Sequence, residues 1–444
     1  MVHRTLAAAT LVLVGLMPVG VAAPPAAADP VTPPAITHVW QIELENEAES
    51  ATFGTGSPAT FLNSTLVPQG VFIPNYYGTG HASLDNYLAQ ISGQSQFAGT
   101  SSDCPVYQDA PGSVDARGFF LPSSTSPAGG CVYPSAVRTL ADQLSAAGRT
   151  WHGYMEDLGA NPVRETSPCG QPGAGLEPTP DVTQLATPTD QYATRHNPFA
   201  YFHSLLDRPA PASASPCAAN VTSLAPLSAD LGTGGSAAAY SFITPNLCDD
   251  GHDGGGSSSC VGPDVTGQRP GPGGLVSADR FLQRYVPLIQ ASDAYRSGGL
   301  IVITFDEGVG NGSCCGEVGG GGGQVGALLI GQHLTPHTST CSYNHFSFLR
   351  SYEDLFGLTP TATRIAGSDG AGHLAHAGDA GVVAWGSDIF GPADTCQAPI
   401  LPEAPATGAL ALSAAGTGLL GLVVVRARRG RRRAPRRRAV SGTT

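Results

Sequence analysis

Two acidic dipeptides stand where strands should end. The run HVWQIEL at 38–44 reads as a buried strand and is followed by Glu45-Asn46. The run LIVITF at 300–305, with β-branched residues on both faces, is followed by Asp306-Glu307-Gly308. In an open parallel sheet, functional groups gather beyond the carboxyl ends of the strands. These two ends would bring three carboxylates and an amide into one crevice. Carboxylates crowded in this way repel unless a cation neutralises them, so a divalent metal ion is the economical explanation. The competing reading makes them solvated loop acids or helix caps.

Ser83 supplies a hydroxyl. In YYGTGHASLDNY (76–87) it stands where a helix could begin and run on through Leu88 and Ile91. A Ser at such a start is most often an N-cap. The same place sets its hydroxyl among free amide N–H groups, where a phosphate would be held, and a nearby metal would make it a nucleophile. A further cluster, TPNLCDDGHD at 244–253, follows an expected strand at 239–243. Its Asp249, Asp250 and His252 suit a second metal ion, to which His345 could add a distant imidazole. A plain turn or a calcium-stabilised loop would also account for the Asp run.

The elements that must position these groups follow from periodicity. Strands are expected at 149–154, 239–243 and 325–330, besides 38–44 and 300–305. Helices are expected at 135–147, 277–294 and 346–356. Helices alternating with doubly apolar strands predict an α/β fold with a mostly parallel central sheet and helices on both faces. Gly-, Pro- and Ser-rich stretches at 99–130, 160–190, 210–236 and 250–275 read as long surface loops, some stapled by Cys. The chain has 444 residues, only 13% charged, with 58 Gly and 37 Pro, which excludes coiled coil, collagen and charge-rich disorder.

Charge is split along the chain. All 22 basic residues are Arg; nine lie between Arg426 and Arg438 and one is Arg4, leaving 12 Arg against all 34 acids in between. So acidic a body argues against nucleic-acid binding. Residues 1–28 read as a signal peptide with Ala26-Ala27-Ala28 before its cleavage point, and 29–36 as a Pro-rich leader. The 22 uncharged residues between Glu403 and Arg426 predict a transmembrane helix at 408–425 and an Arg-rich cytoplasmic tail at 426–444. The linker at 399–407 contains LPEAP, which resembles sortase signals but departs from them at Ala404 and Pro405. Ten Cys in an exported chain are read as disulfides. Cys104 with Cys131 and Cys248 with Cys260 are near enough to bridge local loops, and Cys314 and Cys315 are each expected to pair elsewhere.

The segments 43–54 (ELENEAESATFG), 75–93 (NYYGTGHASLDNYLAQISG), 140–157, 195–202 (RHNPFAYF), 240–253, 298–308 and 344–358 follow one another as in the bacterial phosphoesterase family. That family contains acid phosphatases and phospholipases C and looks like a branch of the alkaline-phosphatase superfamily. The resemblance implies a catalytic domain at 37–398. It implies metal ligation by Glu45, Asn46, Asp306 and Glu307, with Asp249 or Asp250, His252 and His345 similar to the superfamily's other metal site. By the same resemblance Ser83 attacks phosphorus, Asn86 donates to a phosphate oxygen, and His81 orients the phosphate or protonates the leaving group. Related sequences usually carry Pro where this chain has Ala82 and Asp85, and Asp85 adds negative charge beside the expected anion site.

The expected function is that of an exported, surface-tethered, metal-dependent phosphoesterase acting on phosphate monoesters through a serine. The alternatives are a phospholipase C or other phosphodiesterase acting on lipid head groups, and a non-catalytic surface binding protein on the same fold.

Overall fold

The computed structural model describes residues 35–165, 168–172, 177–207, 214–317, 321–391 and 396. The signal peptide, most of the leader, the linker, the expected membrane helix at 408–425 and the Arg-rich tail lie outside the described residues. Among the described residues, no helix is long and apolar enough to cross a membrane.

The sheet strands are β1 (His38–Leu44), β2 (Val71–Ile73), β3 (Trp151–Met155), β4 (Val221–Thr222), β5 (Tyr240–Thr244), β6 (Gly299–Phe305), β7 (Ala327–Gly331) and β8 (His337–Thr338). Their order across the sheet is β8-β2-β7-β6-β1-β5-β3-β4. The central strand, β1, pairs in parallel with β6, Leu44 opposite Phe305, and with β5, Ile42 opposite Ile243. The carboxyl ends of these three strands therefore open on one edge. β7 runs antiparallel to both β6 and β2, so the sheet is mixed but mostly parallel. Strand orientation leaves no mark in a doubly apolar run, and the sequence pattern foretold β7 without its direction.

Four helices matter for the site: α1 (Ser83–Ser92), α2 (Leu140–Ala146), α3 (Gly274–Gln290) and α4 (His345–Leu355). Successive side chains of a strand point to opposite faces, and the contacts of β1 show both faces covered. Trp40 packs against Tyr295, in the short helix that follows α3. Gln41 and Glu43 face the other way, toward Gln90 of α1. Tyr240 of β5 lies on that same face, donating to Gln41 Oε1 at 2.8 Å and packing against Tyr352 of α4. β6 is buried along its whole length, and each aliphatic side chain so covered contributes roughly 1.5–3 kcal/mol.

Every residue of α1 is buried. The helix ends on Gly93, whose φ of 68° is left-handed; a Cβ there would lie 2.6 Å from the Leu374 carbonyl oxygen. α2 begins with a capping box, Thr139 and Asp142 each accepting from the other's backbone N–H, and is shorter than the expected 135–147. The disulfides Cys104–Cys131, Cys169–Cys217 and Cys248–Cys260 staple the long loops, and Cys341–Cys396 ties down the end of the body. Cys314 and Cys315 bond to each other, against the expectation that each would pair elsewhere. Cys315 takes a left-handed φ of 65° to do so.

Candidate active site

Glu45 and Asp306 follow immediately on β1 and β6, and backbone hydrogen bonds fix the crossing. Glu45 N–H donates to the Asp250 carbonyl at 2.8 Å, and Asp306 N–H to the Leu44 carbonyl at 3.0 Å. Asn46 adopts a φ of 55°, a left-handed conformation that Asn tolerates better than most residues. The turn brings its N–H to 2.9 Å from Asp306 Oδ1 and its side-chain amide to 3.1 Å from Glu45 Oε2. The two strand ends thus do converge, and their acids are buried rather than solvated.

Ser83 is the first residue of α1, and Ala82 occupies the cap position with no side-chain cap bond. Its hydroxyl instead donates to Glu45 Oε2 at 2.8 Å. The free amide of the next residue, Leu84, is taken at 3.0 Å by Asp103 Oδ1, so this chain places its own carboxylate at the positive end of the helix. Asp85, one residue further, is buried with both oxygens unpartnered. A Cβ on Gly80 would meet Asp85 Oδ1 at 2.1 Å; only glycine lets the loop pass that close.

Asn86 organises this loop. Its Oδ1 accepts from Thr79 N–H at 2.8 Å and Gly80 N–H at 3.0 Å, while both hydrogens of its amide go to the carbonyls of Gly80 and Ala82, each at 3.1 Å. Donation to a phosphate oxygen would require it to give up one of those bonds. His81 stands half-exposed at the mouth, with Nδ1 2.9 Å from Glu307 Oε2 and Nε2 3.2 Å from Asn311 Oδ1.

The expected second cluster divides. Asn246 Oδ1 accepts from the amides of Cys248 and Asp249, and this turn sends the two acids apart. Asp250 joins Glu45, whereas the charges that press on Asp249 are those of Glu156, Asp264, Asp250 and Asp157. His252 is exposed, its backbone N–H bonded to Asp250 Oδ1. His345 is wholly buried, with Nδ1 2.7 Å from the Tyr76 hydroxyl and Nε2 2.6 Å from the Asp306 carbonyl. Both its nitrogens are engaged, so it braces Asp306 from behind.

His196 takes the place expected of an imidazole. Its Nε2 lies 3.3 Å from Glu45 Oε1 and its Nδ1 3.8 Å from Asp250 Oδ2. Its ring stacks on Tyr87 of α1 at 5.3 Å. Burial, helped by Arg195 and His252, holds it well below the usual histidine range, so it is neutral and able to ligate. The histidine sits in the short turn Thr194–His196, which has no periodicity to mark it; its signal was the segment RHNPFAYF.

Burial pushes Glu45 up to about 7 and Glu307 up to about 8, and raises Asp250 and Asp306 well above the ordinary carboxylate range; neighbouring carboxylates add to the shift at Glu307, Asp250 and Asp306. Arg195 opposes this at Glu45 and Asp250. Beneath them Glu43, held by Gln41 and Gln90, is pushed up to about 8 by burial. Glu45 Oε1, Asp250 Oδ2, Asp306 Oδ2 and both nitrogens of His196 are buried without a hydrogen-bond partner. Such oxygens and an imidazole are the donors a divalent cation takes. Among the described residues, no group of three or more His, Cys, Asp or Glu side chains has the spacing to hold a metal ion as it stands. The donor chemistry fits a cation; the ring of donors would have to tighten around it.

Known proteins resemble this chain along much of its length. The model of the Phosphoesterase family matches residues 55–359. A phosphatidylinositol-3-phosphatase of Mycobacterium tuberculosis is 25% identical over 329 residues, covering 74% of this chain and 79% of that protein. A phosphate-repressible acid phosphatase of Penicillium chrysogenum is 24% identical over 302 residues, covering 66% of this chain and 54% of that protein. Among solved structures, an alkaline phosphatase superfamily protein of Vibrio parahaemolyticus aligns with a TM-score of 0.39 at 12% identity, covering 73% of this chain and 67% of that one.

Proposed function

As a member of the Phosphoesterase family, the chain is a hydrolase acting on phosphoric ester bonds, and we propose that it is an exported, metal-dependent phosphomonoesterase that works through Ser83. The observation that carries this reading is the hydrogen bond from Ser83 Oγ to Glu45 Oε2, beside three buried carboxylate oxygens with no partner. Monoesters are favoured because the relatives cited are named as phosphatases. One of them is named for a phosphoinositide, which makes a lipid head-group monoester the leading natural substrate over the diester of a phospholipase C.

Glu45, Asp250, Asp306 and His196, with Asn46 and Glu307 beside them, would hold the divalent cation. That ion, when bound, supplies positive charge that lowers the pKa of the hydroxyl and offsets charge on the phosphoryl oxygens. Glu45 Oε2 already accepts the Ser83 hydroxyl and is placed to take its proton. Asn86 keeps the 79–82 loop in the shape that aims Ser83. His81, accessible at the mouth and steadied by Glu307, is placed to protonate the departing alcohol. Export rests on the signal-like 1–28 and on five disulfides, which belong to an oxidising compartment. Tethering rests on the uncharged segment before Arg426.

The test combines metal analysis of the purified protein with turnover of p-nitrophenyl phosphate, bis-p-nitrophenyl phosphate and phosphatidylinositol 3-phosphate. Preference for the diester would overturn the monoesterase reading; full activity after exhaustive chelation would remove the metal.

A further inference from the structure

At the opposite end of α1 from Ser83, about 15 Å along a ten-residue helix, lies a second set of reactive side chains. Ser95 Oγ is hydrogen-bonded to His376 Nε2. His376 Nδ1 lies 2.5 Å from Asp379 Oδ2, and the other oxygen of Asp379 pairs with Arg117 Nη2 at 2.5 Å. With Nδ1–H donated to the carboxylate, Nε2 presents its lone pair to the serine hydroxyl. A hydroxyl, a base in reach of it, and a carboxylate orienting that base form the arrangement that activates a serine.

The surroundings hold the imidazole in place. Its ring sits between Phe119, edge-on at 4.6 Å, and Phe346 at 5.0 Å. His376 N–H donates to the Gly93 carbonyl at 3.1 Å, locking its turn to the end of α1. Ala375, just before it, has a φ of 37°, a conformation that costs a residue with a Cβ and that clusters at functional sites. Ser95, His376 and Asp379 all face one cavity of about 230 Å³, walled also by Cys315, Phe346 and Val382. That is smaller than the roughly 300 Å³ at which sites for drug-sized ligands begin. Glu317 lines it too, which disfavours an anionic guest such as a phosphate ester.

The geometry points to Ser95, His376 and Asp379 as a second hydrolytic centre, one that cleaves small, uncharged carboxylic esters. Ser95 Oγ attacks the carbonyl carbon as its proton passes to His376 Nε2. The bond to the leaving alkoxide then breaks and Nε2 returns the proton to it. Water, deprotonated by the same nitrogen, attacks the acyl-serine, giving the carboxylic acid and restoring the hydroxyl.

The full chain is assayed with p-nitrophenyl acetate and butyrate, and is treated with a fluorophosphonate probe whose site is mapped by peptide mass spectrometry. Ester turnover is expected in the wild type and in Ser83→Ala. It should fall about 10³-fold or more in Ser95→Ala and His376→Ala, with p-nitrophenyl phosphate turnover of Ser95→Ala unchanged. The probe should label Ser95 in the wild type, which decides the matter even if a variant fails to fold. Ester turnover retained in Ser95→Ala, or a wild type inert to esters with Ser95 unlabelled, overturns the proposal.

Discussion

Ser83 Oγ donates to Glu45 Oε2 at 2.8 Å across 38 residues of sequence. The bond joins the first turn of α1 to the carboxyl end of β1, so the proposed nucleophile is referenced to the centre of the sheet. Replacing Ser83 by Ala should lower kcat for p-nitrophenyl phosphate on the order of 10³-fold or more and abolish any phosphoserine trapped by acid quench. Retained turnover would displace Ser83 from its role.

The two aspartates of the 249–250 pair should behave differently. Asp249 is pressed by Glu156, Asp264 and Asp157, away from Glu45 and His196, so Asp249→Asn should leave metal affinity unchanged. Asp250→Asn removes an oxygen facing Glu45 and His196 and should weaken binding on the order of 10-fold or more. Isothermal titration with Mn²⁺ or Mg²⁺ reads both; equal losses would mean that the pair acts together.

His196→Gln tests the imidazole that stacks on Tyr87. We expect metal content after dialysis to fall on the order of 10- to 100-fold in affinity terms, with the melting curve of the chelated protein little changed. A variant that binds metal as well as the wild type would reduce His196 to a packing residue.

Stability should depend on pH in a direction opposite to that of ordinary salt-bridged acids. Glu43, Glu45 and Glu307 have folded-state values of about 8, 7 and 8, raised above the ordinary 4.5. Between those limits the folded chain binds more protons than the unfolded one, so stability falls as pH rises. Raising a carboxyl from 4.5 to about 7 corresponds to ~3 kcal/mol. In chelator, Tm should drop from about pH 5 to about pH 8, and a divalent cation should restore most of the loss at the upper end. A chelated protein equally stable across that range would contradict the crowding of acids.

Asn86→Ala leaves the Thr79 and Gly80 amides without their acceptor, at a cost of roughly 1–3 kcal/mol. Urea denaturation should show that loss, and kcat should fall more than KM rises, because the loop that aims Ser83 loosens.

Much of this was legible in the chain. The sequence puts β1 at its observed bounds, although Gln41 and Glu43 interrupt its apolar residues, and β6 within one residue, where the run LIVITF is almost wholly apolar. The acids after them followed from where crevices form in parallel sheets. β2, β4 and β8, two or three residues each, are too short to show a period. His196 was hidden because its turn is held by tertiary packing, and Asp103 because a left-handed turn beside a disulfide brings it to α1. The parting of Asp249 from Asp250 depends on one Asn-stabilised turn. His345 is a ligand candidate by residue type and position, but Tyr76 and the Asp306 carbonyl engage both its nitrogens.

The placement of β1 between two parallel neighbours has a kinetic consequence. Its partners in register begin at Tyr240, 201 residues after Val39, and Gly299, 261 residues after His38, so the sheet's middle closes only after very long loops have been drawn together. The donors at its edge have no shared locality in a nascent or partly folded chain. The proposed cation would therefore bind tightly only once the topology is complete, and would slow escape from the finished state without hastening arrival at it.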